Sequence, residues 1–128
     1  MVFSACTAND ASVNMQSQPP AQVDGNEKPV YRKISAGEAY QMMRNTSEYI
    51  LLDVRSLEEF TEKHISGAAL IPDNEIVNRA AKELPDKNAL ILVYCRSGAR
   101  SAKAANELVG MGYANVYDFG GIIDWPYE

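Results

Sequence analysis

Apolar residues recur along the chain in two alternating rhythms from Val30 onward. Val30 to Ile34 predicts a short strand. Ser35-Ala36-Gly37-Glu38 has the form of a capping box, with Ser35 as N-cap and Glu38 reaching back, and Ala39, Met42 and Met43 then share a helical face. Tyr49-Ile50-Leu51-Leu52 is a continuous apolar run, as expected of a strand covered on both faces. Ser56-Leu57-Glu58-Glu59 forms a second capping box, followed at helical spacing by Leu57, Phe60 and His64. Ala68 to Ile71 predicts a short strand that Pro72 stops. Asp73 is placed to cap a helix that buries Ile76, Val77, Ala80 and Leu84 and ends before Pro85. Ala89 to Tyr94 is the most apolar run and predicts the central strand. Ser97 to Met111 predicts a helix with Ala102, Ala105, Leu108 and Val109 inward and Gly112 at its end. Asn115 to Phe119 predicts the last strand, and Gly120-Gly121 turns into a closing segment.

Strands that alternate with helices and read as continuous apolar runs predict an α/β domain, with about five parallel strands flanked by helices on both faces. Ligands in such sheets bind beyond the carboxyl ends of the strands. That places interest on the segment after Tyr94.

Residues 1 to 29 show neither period. Thr7 to Lys28 is rich in Asn, Gln, Ser, Ala, Asp and Pro, with Pro19-Pro20 in the middle, and predicts a disordered tether ahead of a domain over residues 30–128. The full chain has 128 residues, a size for one domain, and a net charge of -5. An acidic chain lacks the basic face that nucleic acid requires, so no nucleic-acid partner is expected. Two cysteines, Cys6 and Cys95, make no disulfide framework, and with His64 the single histidine no metal site is expected.

The candidate chemistry lies in Cys95-Arg96-Ser97-Gly98-Ala99-Arg100-Ser101. A cysteine ends a buried strand, and a helix starts within a few residues. The helix N-terminus offers unpaired N–H groups and a positive dipole end, and a thiol there beside arginine has its pKa lowered. Gly98 lets the backbone curl so that N–H groups converge on an anion. Arg96 and Arg100 supply planar cationic forks. These parts suit a cysteine nucleophile, Cys95, that attacks a small dianion without a separate base. The plain alternative is a buried structural cysteine with surface arginines nearby.

This loop resembles the active-site loop of the rhodanese-domain sulfurtransferases. Leu52-Asp53-Val54-Arg55, Glu58-Glu59-Phe60, His64-Ile65-Ser66-Gly67-Ala68 and Ile71-Pro72 resemble that family's first signature, and Gly120-Gly121-Ile122 with Trp125 its last. The resemblance spans Val30 to Glu128. It implies a five-stranded parallel fold and a Cys95 persulfide in place of any cofactor. It also implies that the loop backbone from Arg96 to Ser101 cradles the sulfur and that Arg96 and Arg100 contact an anionic donor. Thiosulfate or a low-molecular persulfide is the implied donor, because the Gly-Ser-Gly-Val-Thr type of loop associated with mercaptopyruvate is absent. Cyanide or a thiol is the implied acceptor, with a protein sulfur acceptor as a further partner. Asp53 and Arg55 are supporting candidates whose bland role is a salt bridge that fixes neighbouring turns. His64 and Trp125 read as packing residues.

Two other readings stand beside this one. A silent rhodanese-like carrier or interaction module usually has its cysteine replaced. Phosphatases and arsenate reductases of this fold have one more loop residue, whereas here four residues, Arg96 to Ala99, separate Cys95 from Arg100. Finally, Phe3-Ser4-Ala5-Cys6 resembles the end of a bacterial lipoprotein signal, although a basic start and an apolar stretch do not precede it. A lipid on Cys6 would tether the domain to a membrane in the periplasm or cell envelope; a cytoplasmic protein with a loose tail is the alternative.

Overall fold

The computed structural model describes residues 30–127. The expectations for residues 1–29, Cys6 among them, therefore lie outside the described residues.

The chain order is β1 (Arg32–Lys33), α1 (Ala36–Asn45), β2 (Ile50–Asp53), α2 (Leu57–Glu62), β3 (Ala69–Leu70), a 3-10 turn (Asp73–Glu75) running into α3 (Ile76–Glu83), β4 (Leu90–Cys95), α4 (Ala99–Gly110), β5 (Asn115–Gly121) and a last 3-10 turn (Ile122–Asp124). The five strands form one sheet in the order β1-β5-β4-β2-β3, and every neighbouring pair is parallel. The most apolar strand, β4, is the central one, as its composition predicts.

Side-chain alternation along the strands divides the interior into two layers. Leu52, Ile91, Val93 and Cys95 face α3 and α4, where Ile76, Ala80, Leu84, Ala104, Ala105, Leu108 and Val109 are buried. Leu51, Leu92, Tyr94 and Phe119 face the other way, onto Ala39, Met42 and Met43 of α1 and onto Ile65 and Trp125. The nucleophile candidate thus points into the α3/α4 layer.

Both capping boxes form. Ser35 Oγ accepts from Glu38 N at 3.0 Å while Glu38 Oε1 accepts from Ser35 N at 2.8 Å. Ser56 and Glu59 repeat the exchange at 3.2 and 3.0 Å.

Several sequence expectations need correction. Asp73 opens a 3-10 turn and makes no side-chain cap; α3 begins at Ile76. Val77 is 61% exposed, because Ile76, Ala80 and Leu84 repeat every fourth residue and Val77 falls off that stripe. Leu57 is 62% exposed, and α2 buries none of its residues. In α4 the inward stripe is Ser101, Ala104, Ala105, Leu108 and Val109, with Ala102 at its flank. The helix starts at Ala99 and not at Ser97, because residues 96–98 are used to turn the backbone around the cysteine sulfur.

Candidate active site

The site is built where β4 meets α4. Cys95, the last residue of β4, is 1% exposed. Gly98 then takes φ +116, a left-handed conformation suited to glycine, and stands at the N-cap of α4. That curl aims the Gly98 N–H at Cys95 Sγ, at 2.9 Å. The Ser101 Oγ lies 3.5 Å from the same sulfur. Burial pushes the Cys95 thiol up. Hydrogen bonding from the Ser101 side chain and from the backbone of Ser101, Gly98 and Ser97 outweighs it, so the thiol lies below its ordinary value.

A second strand end closes the loop from beside. Residue pairing between β4 and β5 slips one step: Val93 faces Asp118, and Cys95 faces Gly121. This bulge, with Gly120 at φ +95, lets β5 bend against the loop. Contact is tight at Gly121, where an added Cβ would lie 2.1 Å from the Arg96 carbonyl oxygen. That same carbonyl accepts from Ile123 N at 3.3 Å, pinning the closing segment to the loop.

The two loop arginines do different things. Arg100 is expected from the sequence to contact an anionic donor, but the structure gives its fork to Glu59, with Nη1–Oε1 at 2.8 Å and Nη2–Oε2 at 3.0 Å. The Arg100 guanidinium, followed by the Ser56 backbone N–H, holds the Glu59 carboxyl down at about 2. Glu59 is therefore shared between the cap of α2 and the active loop. Arg96 is exposed and has no ion-pair partner among the described residues. It lines a cleft of about 320 Å³ together with Arg55, Glu59, Glu62, Lys63, Ile122 and Ile123. Ser97 and Ala99 are exposed at the loop surface.

Asp53 and Arg55 take the bland role. Arg55 Nη2 lies 2.8 Å from Asp53 Oδ2 and Arg55 Nε 3.0 Å from Oδ1, both side chains being buried. Arg55 Nη2 also donates to the Lys63 carbonyl, tying the end of β2 to the turn after α2. His64 lies past the end of α2, stacks on Phe60 with ring centroids 3.8 Å apart, and is not brought to Cys95. Trp125 packs on Phe119 at 5.2 Å, within the α1 layer.

Sequence reasoning missed Glu59 as a loop partner, and it missed Asp118 and Lys33. Asp118 is fully buried and accepts from Ser101 Oγ at 2.7 Å and from Gly120 N at 2.9 Å. Lys33 Nζ reaches it from β1 at 3.4 Å. The available signal was a carboxylate inside the otherwise apolar stretch Val116 to Phe119.

A sequence model described as Rhodanese-like domain matches residues 35–126. The thiosulfate sulfurtransferase PspE of Escherichia coli is 41% identical over 73 residues, covering 57% of this chain and 70% of that protein. The thiosulfate sulfurtransferase GlpE of Coxiella burnetii is 31% identical over 97 residues, covering 75% and 88%. A solved structure described as a rhodanese with anions from E. coli superposes with a TM-score of 0.57 at 39% identity, covering 59% of this chain and 89% of that one.

Proposed function

This chain belongs to the rhodanese-like domain family, and from that premise we propose that it is a sulfurtransferase that carries a sulfur atom on Cys95. The observation that carries the reading is the buried Cys95 sulfur with the Gly98 N–H aimed at it from a helix start. Relatives named thiosulfate sulfurtransferase support thiosulfate as donor.

The reaction follows from the site. The Cys95 thiolate attacks the outer sulfur of thiosulfate. A new S–S bond forms to Cys95, the old one breaks, and sulfite leaves with the bonding pair. The negative charge now sits on the outer sulfur of the persulfide. Loop N–H groups at the α4 N-terminus stabilise it there. Cyanide or a thiolate, from a small molecule or a protein, then attacks that outer sulfur. Thiocyanate or a new persulfide departs and the Cys95 thiolate is restored. The lowered Cys95 thiol ionises more readily than a free one, so the step needs no dedicated base to take its proton during attack.

Arg96 favours an anionic donor: it is exposed next to Cys95 and has no ion-pair partner among the described residues, although the cleft it lines carries both signs, Arg55 and Lys63 with Glu59 and Glu62. Arg100, its charge balanced by Glu59, fixes the loop's shape. The direct test is thiocyanate formation from thiosulfate and cyanide. Turnover saturating in thiosulfate is expected; no thiocyanate with any donor tried, thiosulfate or low-molecular persulfide, would leave a carrier or interaction module.

A further inference from the structure

Ser101 has one hydroxyl proton and four neighbours that can contend for it. These are Asp118 Oδ1 at 2.7 Å, the Gly98 carbonyl at 3.1 Å, the Gly120 carbonyl at 3.3 Å and Cys95 Sγ at 3.5 Å. The shortest contact is to a carboxylate, which is also the strongest acceptor of the four. With Asp118 ionised the proton points at Asp118, and the Ser101 lone pairs face Cys95. That arrangement suits a neutral thiol, which donates to Ser101. It does not suit a thiolate, which needs the same proton turned toward itself. Asp118 also places a negative charge one hydroxyl away from the sulfur.

We infer that Asp118 is a positioning residue for the nucleophile: it competes with the Cys95 thiolate for the Ser101 proton. The free thiolate then leans mainly on the loop N–H groups, with its bond from the Ser101 hydroxyl weakened. Once sulfur is loaded, Cys95 Sγ is no longer charged and has no need of the Ser101 proton. Asp118 therefore disfavours the free thiolate relative to the loaded state and keeps the sulfur nucleophilic, because a thiolate of lower pKa attacks more weakly. That consequence, though not the proton competition itself, rests on the sulfurtransferase reading.

Lys33 sets the strength of the effect. Its Nζ is 3.4 Å from Asp118 Oδ2 and 3.9 Å from where a Cβ on Gly98 would stand, and its side chain is 60% exposed. The charged groups facing this cluster are Lys33 from β1, Asp118 from β5 and, across the loop, Arg100 from α4 with its partner Glu59 from α2.

The experiment is the pH profile of iodoacetamide labelling of Cys95 in the full chain, which needs no sulfur donor. Its failure is thus separate from a failure of sulfur transfer. Asp118→Asn should lower the labelling midpoint by about one pH unit, as expected when a hydroxyl proton is freed to hydrogen-bond the charged form of the thiol. In a Ser101→Ala background most of that shift should vanish. Lys33→Met, at a side chain that is 60% exposed, should move the midpoint up. An unchanged or raised midpoint in Asp118→Asn overturns the inference. So does an undiminished shift without the Ser101 hydroxyl, which would make Asp118 a distant charge only. A Lys33→Met midpoint that stays or falls overturns it as well, even if the Asp118 variant fails to fold.

Discussion

Gly121→Ala isolates the contact that holds the active loop in shape. Gly121 has φ -123, an ordinary extended conformation, so alanine brings no backbone penalty. The added methyl instead meets the Arg96 carbonyl oxygen at 2.1 Å, the Arg96 carbonyl carbon at 2.6 Å and the Ser97 Cα at 2.6 Å. All three are backbone atoms and none can rotate away. Reaching even a 3.0 Å contact requires β5 and the loop to part by about 0.9 Å, the difference between 3.0 and 2.1 Å. Overpacking of this kind costs about 2 kcal/mol, or roughly 10 °C of melting temperature for a domain near 100 residues. Function should suffer more. The Gly98 N–H contact to Cys95 is built from the same residues that must move, and a misplacement near 1 Å can lower a rate about a hundredfold. Thermal melting and thiocyanate formation on the purified variant read the two effects. A variant with wild-type melting and activity within twofold of wild type would refute the tight contact and the dependence of the site on it.

Cys95→Ser should fold as the parent does, since Ser101 and the Gly98 N–H can serve a hydroxyl at the same place, and its sulfur transfer should be undetectable; residual thiocyanate formation would rule out the nucleophile. Glu59→Gln tests the ion pair through pH. The Glu59 carboxyl is lowered to about 2 from 4.5 in the folded chain, so its contribution is full above pH 4.5 and fades as pH falls toward 2. Urea unfolding across that window should show a shallower acid-side loss in Glu59→Gln, and parallel curves for the two proteins would contradict the pairing. Tyr113→Phe removes a buried hydroxyl that donates to the Leu84 carbonyl at 2.6 Å, with the Ala80 carbonyl also within 3.0 Å. It should destabilise by about 1 kcal/mol with activity unchanged, and an unshifted denaturant midpoint would contradict this.

Most of the frame was legible because local rules and tertiary packing agree. The capping boxes at Ser35 and Ser56, the apolar run of β4 and the Gly98 curl each follow from short-range chemistry, and each forms. Legibility fails where a side chain's partner is remote in sequence. Arg100 reads as a free cation until α2 brings Glu59, which stands 41 positions earlier, to its fork. Asp118 reads as an oddity in a strand until the β4/β5 bulge sets it against Ser101. Leu57 and Val77 show the converse: the helical period gives the spacing of a stripe but not its phase on a short helix. Asp53 and Arg55 lie two residues apart on one strand end, so their pairing could be read directly.

The most direct test of a sulfur carried on Cys95 is the intact mass of the protein after thiosulfate treatment. The expected result is a gain of one sulfur atom on wild type, lost on adding cyanide or dithiothreitol and absent from Cys95→Ser. An unchanged wild-type mass, or a sulfur gained equally by Cys95→Ser, would contradict it.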